Sequence, residues 1–262
     1  MKKHVLYTFL IMLSMCVSCE DMLDKPPLDQ ISSDQYWKTS SDLEKYTMQF
    51  YTIFPTYGTP SYTGIFIADA QYGSDDAIIA DANTTLNGSR AVVNSASGSD
   101  WDWTQIRSVN IFFDNYQKCG DAFDLWKHYI GEAYFFRAYL YFEKVKAYGD
   151  VPWYNTALNM DSEDLYKPRD PRTLVVDSIL SNLDKAIEYL DPIKIVDGGT
   201  NRLSKEVALL FKSRVALYEG SWQKYHAGTP FATSGCDPNK YFRQAVDAAE
   251  ELMNGEYTVG IY

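Results

Sequence analysis

The sequence has few of the residues and none of the local motifs on which most enzyme chemistry depends. It contains 3 histidines among 262 residues, and His128 and His226 are isolated, so no H-E-x-x-H or other metal-spaced cluster is present. The chain also has no phosphate-binding G-x-x-x-x-G-K-[ST] loop and no G-x-S-x-G nucleophile elbow. We therefore expect no metal site, no cofactor and no enzyme activity.

Positive charge is in deficit as well. The chain has 24 Lys+Arg against 35 Asp+Glu, which gives a net charge of −11. Because binding to phosphates needs clustered cations, we do not expect a nucleic-acid partner. Carboxylates are abundant, and a glycoside hydrolase needs only two of them at a defined separation, so a hydrolase remains a distant alternative. The 46% hydrophobic content is typical of a chain that folds around a substantial core.

The N-terminus has the layout of a secretory signal. Two lysines precede the apolar residues 5–15, a run that is too short to span a bilayer. Residues 15–19, MCVSC, resemble a bacterial lipobox, although Cys16 and Ser18 depart from its usual residues. We predict a signal peptide over residues 1–18, lipidation of Cys19 and a lipid-anchored tether over residues 19–33. Attachment to the membrane is then expected through the lipid alone, because no other run is long enough to span it.

Cysteine is scarce in the remainder of the chain, where only Cys119 and Cys236 are found. An exported location would permit a disulfide between them. We expect two separately buried thiols instead.

Apolar residues recur at three- and four-residue steps, which predicts helices over about 41–54, 104–122, 128–148 and 173–191. Two more are expected, one capped by Ser204 and stopped by Gly220, and one that runs from Asp237 to Gly255. Ser41 and Glu44 fit a capping box for the first helix. Small residues lie among large aromatics, as in helix pairs of the tetratricopeptide kind. The prediction is an all-α, tetratricopeptide-like helical-repeat scaffold with long irregular loops over residues 34–262.

Charged residues in or near these helices raise a separate question. Glu132 and Arg137 lie on a helix that is otherwise apolar, so we expect them to have structural partners rather than substrate contacts. Arg169 and Arg172 precede the next helix and are interpreted as residues that bridge loops.

Residues 55–103 form a long polar segment without helical periodicity, and long loops of this kind usually carry function. Near its end, Trp101 and Trp103 flank Asp102. In an extended segment both indoles would share one face and could stack on pyranose rings, with neighbouring polar groups binding the hydroxyls. The alternative, which the residues alone favour, is that the indoles fill a hydrophobic gap under the helix that begins at Thr104.

Asp76 and Arg90 lie in the same polar segment and are further candidates for contacts with sugar hydroxyls. An isolated arginine in a loop rich in glycine and serine is more often only solvated, so the functional interpretation competes with a plain one.

Four stretches, residues 19–46, 131–153, 166–191 and 201–220, resemble the SusD/RagB family of nutrient-binding lipoproteins. The second is the most specific: GEAYFFRAYLYF matches the family pattern G-E-A-x-F-x-R-A-x-x-Y-F and is followed by G-D-V-P. Members are longer than this chain, so the resemblance implies the N-terminal portion of a member or a truncated one, in which the C-terminal half of the ligand face is missing.

The resemblance implies a lipoprotein of the outer membrane, exposed on the cell surface, that binds oligosaccharides and delivers them to a SusC-like TonB-dependent transporter. It also strengthens the ligand-stacking interpretation of Trp101 and Trp103, because members carry such aromatics in the loop before this helix. An alternative from another class is a scaffold or lid of the transporter complex that does not itself bind sugar.

Overall fold

The computed structural model describes residues 36–54, 87–89, 91, 101–195 and 201–255. The α-helices in these ranges are α1 (Ser40–Met48), α2 (Thr104–Asn115), α3 (Lys127–Tyr148), α4 (Arg172–Tyr189), α5 (Lys205–Tyr225) and α6 (Asn239–Asn254). Short 3-10 helices cover Gln49–Ile53, Tyr116–Lys118, Phe123–Leu125 and Glu163–Tyr166. These ranges contain no β-sheet, only an isolated antiparallel bridge between Val151 and Asp170. The predicted all-α class is confirmed.

Several predicted features lie outside the described residues. They are the signal peptide, Cys19, the tether, Asp76 and Arg90. Within the described part of the chain, no helix combines the length and apolarity that a membrane crossing needs.

Helix α3 is the centre of the fold. It packs against α1, α2 and α4, and the chain then continues as successive neighbours, α4 against α5 and α5 against α6. Ala133, Phe136 and Val145 of α3 are fully buried, and so is Tyr141. The helix ends at Gly149, whose φ of 72° is a conformation that glycine adopts without strain. This helix-on-helix order matches the predicted tetratricopeptide-like arrangement.

The capping box of α1 is not the predicted one. Thr39 has an extended backbone and occupies the N-cap. Its hydroxyl accepts a hydrogen bond from the Asp42 amide at 3.3 Å, and the Asp42 carboxylate accepts one from the Thr39 amide at 2.9 Å. The same S/T-x-x-acid spacing therefore operates two residues earlier than the predicted pair of Ser41 and Glu44. Glu44 instead pairs with Arg202.

Gly220 does not end α5, which was predicted to stop there and in fact continues to Tyr225. A Cβ atom at Gly220 would lie 2.8 Å from the Phe242 ring of α6. The glycine therefore serves the close approach of two helices. The predicted helix over 104–122 was also too long, because α2 ends at Asn115 and continues only as a 3-10 turn.

Glu132 is fully buried in α3 and has several partners, as predicted. Arg202 donates to it from two nitrogens, and the hydroxyls of Thr47 and Tyr51 donate as well. Burial alone would raise the pKa of Glu132, but the hydrogen bonds from His128 and Arg202 and the Arg202 charge lower it to about 2. The carboxylate is therefore held ionised in the core.

Arg137 and Arg172 are buried too. Arg137 donates from Nε to Asn182 at 2.8 Å and lies 3.9 Å from the centre of the Phe113 ring. Burial lowers the pKa of Arg137 to about 10. Arg172 donates from Nε to Glu219 at 2.8 Å, which joins α4 to α5. The expectation of structural partners is confirmed for Glu132 and Arg137. Arg172 was expected to bridge loops, and it instead joins two helices from the first turn of α4.

Cys119 and Cys236 are free and half-buried, and burial raises the pKa of both thiols. The preference for two separate thiols over a disulfide is confirmed.

Candidate functional site

A pocket of about 720 Å³ lies between the start of α2 and the segment that joins α3 to α4. Trp101, Trp103, Arg107 and Asn110 line it from the α2 side. The other wall contains Tyr154, Leu158, Leu165, Lys167 and Arg169. Both tryptophans predicted from the sequence therefore lie in one cavity.

The two indoles meet at a right angle rather than side by side. Their ring centroids are 5.2 Å apart and the planes are inclined at 80°. Trp101 packs edge-to-face on Tyr148 at 4.8 Å, and Trp103 packs on Tyr154 at 5.8 Å. Both indoles are half-buried. Each ring therefore packs against the scaffold, as the alternative interpretation expects, and each also lines the pocket; stacking on a sugar ring stays a prediction.

The segment around Asp102 is a turn and not the extended segment in which both indoles would share one face. Asp102 Oδ1 accepts hydrogen bonds from the Thr104 hydroxyl at 2.6 Å and the Thr104 amide at 2.9 Å. These hydrogen bonds hold the pKa of Asp102 below its ordinary value. The Asp102 carboxylate therefore stabilises the beginning of α2. Trp101 and Trp103 flank Asp102 in the chain, so the same hydrogen bonds help to fix both indoles.

Asn110 is a site residue that the sequence analysis missed. It is 1% exposed, and its amide nitrogen donates to the carbonyls of Tyr154 and Thr156, both at 3.0 Å. Two carbonyl partners fix which end of the amide is the nitrogen. Oδ1 is then left as a buried acceptor without a partner among the described residues. The Asn110 side chain thus holds the backbone of the opposite wall against α2.

The opposite wall is held at its base. The Asp170 amide donates to the Val151 carbonyl at 3.2 Å, and the Trp153 amide donates to the Asp170 carboxylate at 2.7 Å. Lys167 donates both to the Trp153 carbonyl and to Asp170. Burial alone would raise the pKa of Asp170. The hydrogen bonds from the Trp153 amide and Lys167, together with the Lys167 charge, outweigh this effect and lower the pKa below its ordinary value. These hydrogen bonds hold together the two ends of the segment that forms the opposite wall.

Two arginines are held at the rim. The guanidinium of Arg169 lies 4.8 Å from the centre of the Trp101 ring, so it bridges two loops as predicted. Arg107 donates from Nε to the Leu158 carbonyl at 3.2 Å. Trp103, Arg107 and Asn110 follow the i, i+4, i+7 spacing of one helical face, and this spacing was the signal in the sequence that could have revealed the last two.

The comparisons with known proteins agree with this architecture. The family model SusD-like_3, described as "Starch-binding associating with outer membrane", matches residues 23–217. The chain belongs to this SusD-like family. It is 29% identical over 245 residues to SusD-like protein P38 of Formosa agariphila, covering 91% of this chain and 46% of the relative. SusD-like protein P2 of the same organism is 27% identical, with 86% and 45% covered.

Solved structures show the same fold. A SusD-like protein of Bacteroides fragilis superposes with a TM-score of 0.64 at 23% identity, covering 90% of this chain and 42% of that one. A laminarin-binding SusD-like protein superposes with a TM-score of 0.59 at 19% identity, covering 83% and 44%. This chain spans somewhat less than half the length of the curated relatives it matches.

Proposed function

We propose that this chain is a glycan-binding lipoprotein of the outer membrane, anchored through Cys19, that captures oligosaccharides in the pocket formed by Trp101 and Trp103. It delivers them to a SusC-like TonB-dependent transporter and performs no chemistry on them. Membership of the SusD-like family and the similarity to a laminarin-binding protein support the ligand class. The transporter partnership and the surface location follow from the family resemblance.

The observation that carries this proposal is the pair of half-buried indoles that line one wall of the pocket. The apolar C–H face of a sugar ring can pack on an indole, while the ring hydroxyls form hydrogen bonds with polar groups of the lining. A volume of about 720 Å³ lies in the range of small-molecule sites.

Asp76 and Arg90 remain part of the proposal as further contacts to sugar hydroxyls. They belong to the segment before Trp101, outside the described residues.

The test is a titration calorimetry panel of neutral and acidic oligosaccharides with the purified chain. Trp101→Ala and Trp103→Ala are each expected to weaken binding by about tenfold, the effect of removing an anchoring aromatic. Trp222→Ala is the matched control, because Trp222 is also half-buried and also lies beside an arginine, Arg172 at 4.2 Å, but does not line the pocket.

Three outcomes contradict the proposal in different ways. Sugar binding that the double tryptophan change leaves intact would place the site elsewhere. A folded chain that binds no glycan but co-purifies with a SusC-like transporter would favour the scaffold alternative. Release of reducing sugar that depends on a carboxylate would favour the hydrolase.

A further inference from the structure

We infer that the sugar taken by this pocket carries negative charge, as a uronic-acid carboxylate or a sulfate ester, and that Arg107 and Arg169 bind that group. The inference rests on the proposed function, since it names the chemical class of glycan for the same pocket. The shared chemistry is an anionic oxygen group on a pyranose ring.

The charge of the pocket is opposite to the charge of the chain. The whole sequence has a net charge of −11, yet among the described residues the lining contains Arg107, Lys167 and Arg169 against one carboxylate, Asp102. Lys144 adds a further cation behind the wall, 5.6 Å from the centre of the Trp103 ring. A cleft lined by one sign of charge concentrates ligands of the opposite sign.

One of the three cations in the lining already has an anionic partner, because Lys167 forms an ion pair with Asp170 at 2.9 Å. The Asp102 carboxylate accepts its hydrogen bonds from Thr104. Arg107 and Arg169 differ, because no carboxylate in the described part of the chain lies within ion-pair distance of either. Two guanidinium groups thus remain at the rim without an anionic partner there.

These two arginines are also held in place. The Arg169 guanidinium lies against the Trp101 ring. Arg107 donates from Nε to the Leu158 carbonyl. A guanidinium has a planar set of donors that matches a carboxylate or sulfate, and positioning it in advance reduces the entropy lost on binding.

The start of α2 does not add to this preference, because the Asp102 carboxylate already accepts from the Thr104 amide there. A neutral sugar would leave both guanidiniums with hydroxyl partners only, whereas an anionic group matches both.

The test compares glycans that differ only in charge. Oligogalacturonate is titrated against its methyl-esterified counterpart, and a sulfated galactan oligosaccharide against its desulfated counterpart, at low and high salt. At least one anionic member is expected to bind about tenfold more tightly than its neutral form, and high salt should reduce that difference.

Variants locate the effect. Arg107→Ala and Arg169→Gln should each weaken binding of the anionic form more than binding of the neutral form, so that each reduces the roughly tenfold preference. Arg243→Ala is the control, since Arg243 is an exposed arginine on α6 that does not line the pocket.

The outcomes separate this inference from the proposed function. Equal binding of charged and neutral forms overturns the inference and leaves sugar binding in place. Anionic binding that neither rim variant affects also overturns it. A chain that binds no glycan of any charge overturns both.

Discussion

Arg202 donates two hydrogen bonds to the buried carboxylate of Glu132, from Nε at 2.7 Å and from Nη2 at 3.1 Å. A third, from Nη1, reaches Glu44 of α1 at 2.7 Å. One side chain therefore joins α1, α3 and the residues just before α5. Because these elements are far apart in sequence, this cluster fixes the position of α1 on the scaffold.

The first prediction concerns acid stability. The pKa of Glu132 is about 2 in the folded chain, against an ordinary value of 4.5. The unfolded chain therefore takes up this proton first as the pH falls, and about 3 kcal/mol of stability is lost progressively between about pH 4.5 and pH 2. Glu132→Gln should lower stability at neutral pH and remove this part of the acid dependence. Urea unfolding at several pH values measures both.

The control is Glu188→Gln, because Glu188 pairs with Lys185 on the exposed face of α4. This change should alter stability by less than about 1 kcal/mol. An acid profile of Glu132→Gln that runs parallel to that of the original chain would show that Glu132 does not carry the effect.

The second prediction asks whether Asp102 stabilises the start of α2 as a hydrogen-bond acceptor or through its charge. Asp102→Ala should cost about 1 kcal/mol, because the Thr104 amide and hydroxyl lose their acceptor. Asp102→Asn keeps an acceptor oxygen and should retain most of that stability. Thermal unfolding compares the three chains. Equal losses for Ala and Asn would show that the charge matters and that capping does not.

The third prediction concerns Gly131 in α3. A Cβ atom there would lie 2.9 Å from the backbone nitrogen of Leu190 and equally close to its Cγ. Gly131→Ala should therefore destabilise the fold by about 1–3 kcal/mol, although alanine is the better helix former by about 1 kcal/mol. Ala147→Ser, on the exposed side of α3, is the control and should stay within about 0.5 kcal/mol. A stabilised Gly131→Ala chain would contradict the close packing of α3 on Leu190.

The fourth prediction concerns the buried ion pair between Arg172 and Glu219. Glu219→Leu leaves the guanidinium of Arg172, which is 4% exposed, without its carboxylate. The expected loss is about 3–5 kcal/mol. The double change with Arg172→Met removes the unpaired charge and should recover a large part of it. A double variant as unstable as Glu219→Leu alone would show that lost packing, and not the orphaned charge, is the cause.

The helical class and the order of the helices could be predicted from periodicity, because a stripe such as Val176, Ile179 and Leu183 has one simple explanation. The exact ends could not. Gly220 resembles a stop in sequence, but the approach of Phe242 explains it instead, and that contact depends on tertiary packing. The Thr39 cap likewise competes with an equally plausible pair two residues later.

The site was predicted only in part. Trp101 and Trp103 were identifiable because two indoles in a polar loop are unusual. Arg107 and Asn110 were missed although they lie four and seven residues after Trp103 on one helical face, because nothing in the residues themselves marks that face as a pocket wall until the opposite wall is known. That wall, at Tyr154 and Leu158, is brought to α2 by contacts between residues more than forty positions apart.

The hydrogen bonds among Val151, Trp153, Lys167 and Asp170 close the segment between α3 and α4 at its two ends. The first part of the segment is also bound to the helices, because the Thr156 and Leu158 carbonyls accept hydrogen bonds from α2 and the Asn155 carbonyl accepts one from Arg137 of α3. Residues 159–166 are therefore the part that can be exchanged, lengthened or shortened as a cassette while these contacts with the helices are kept. Grafting this segment from one relative to another offers a direct way to move ligand preference between proteins that share the frame.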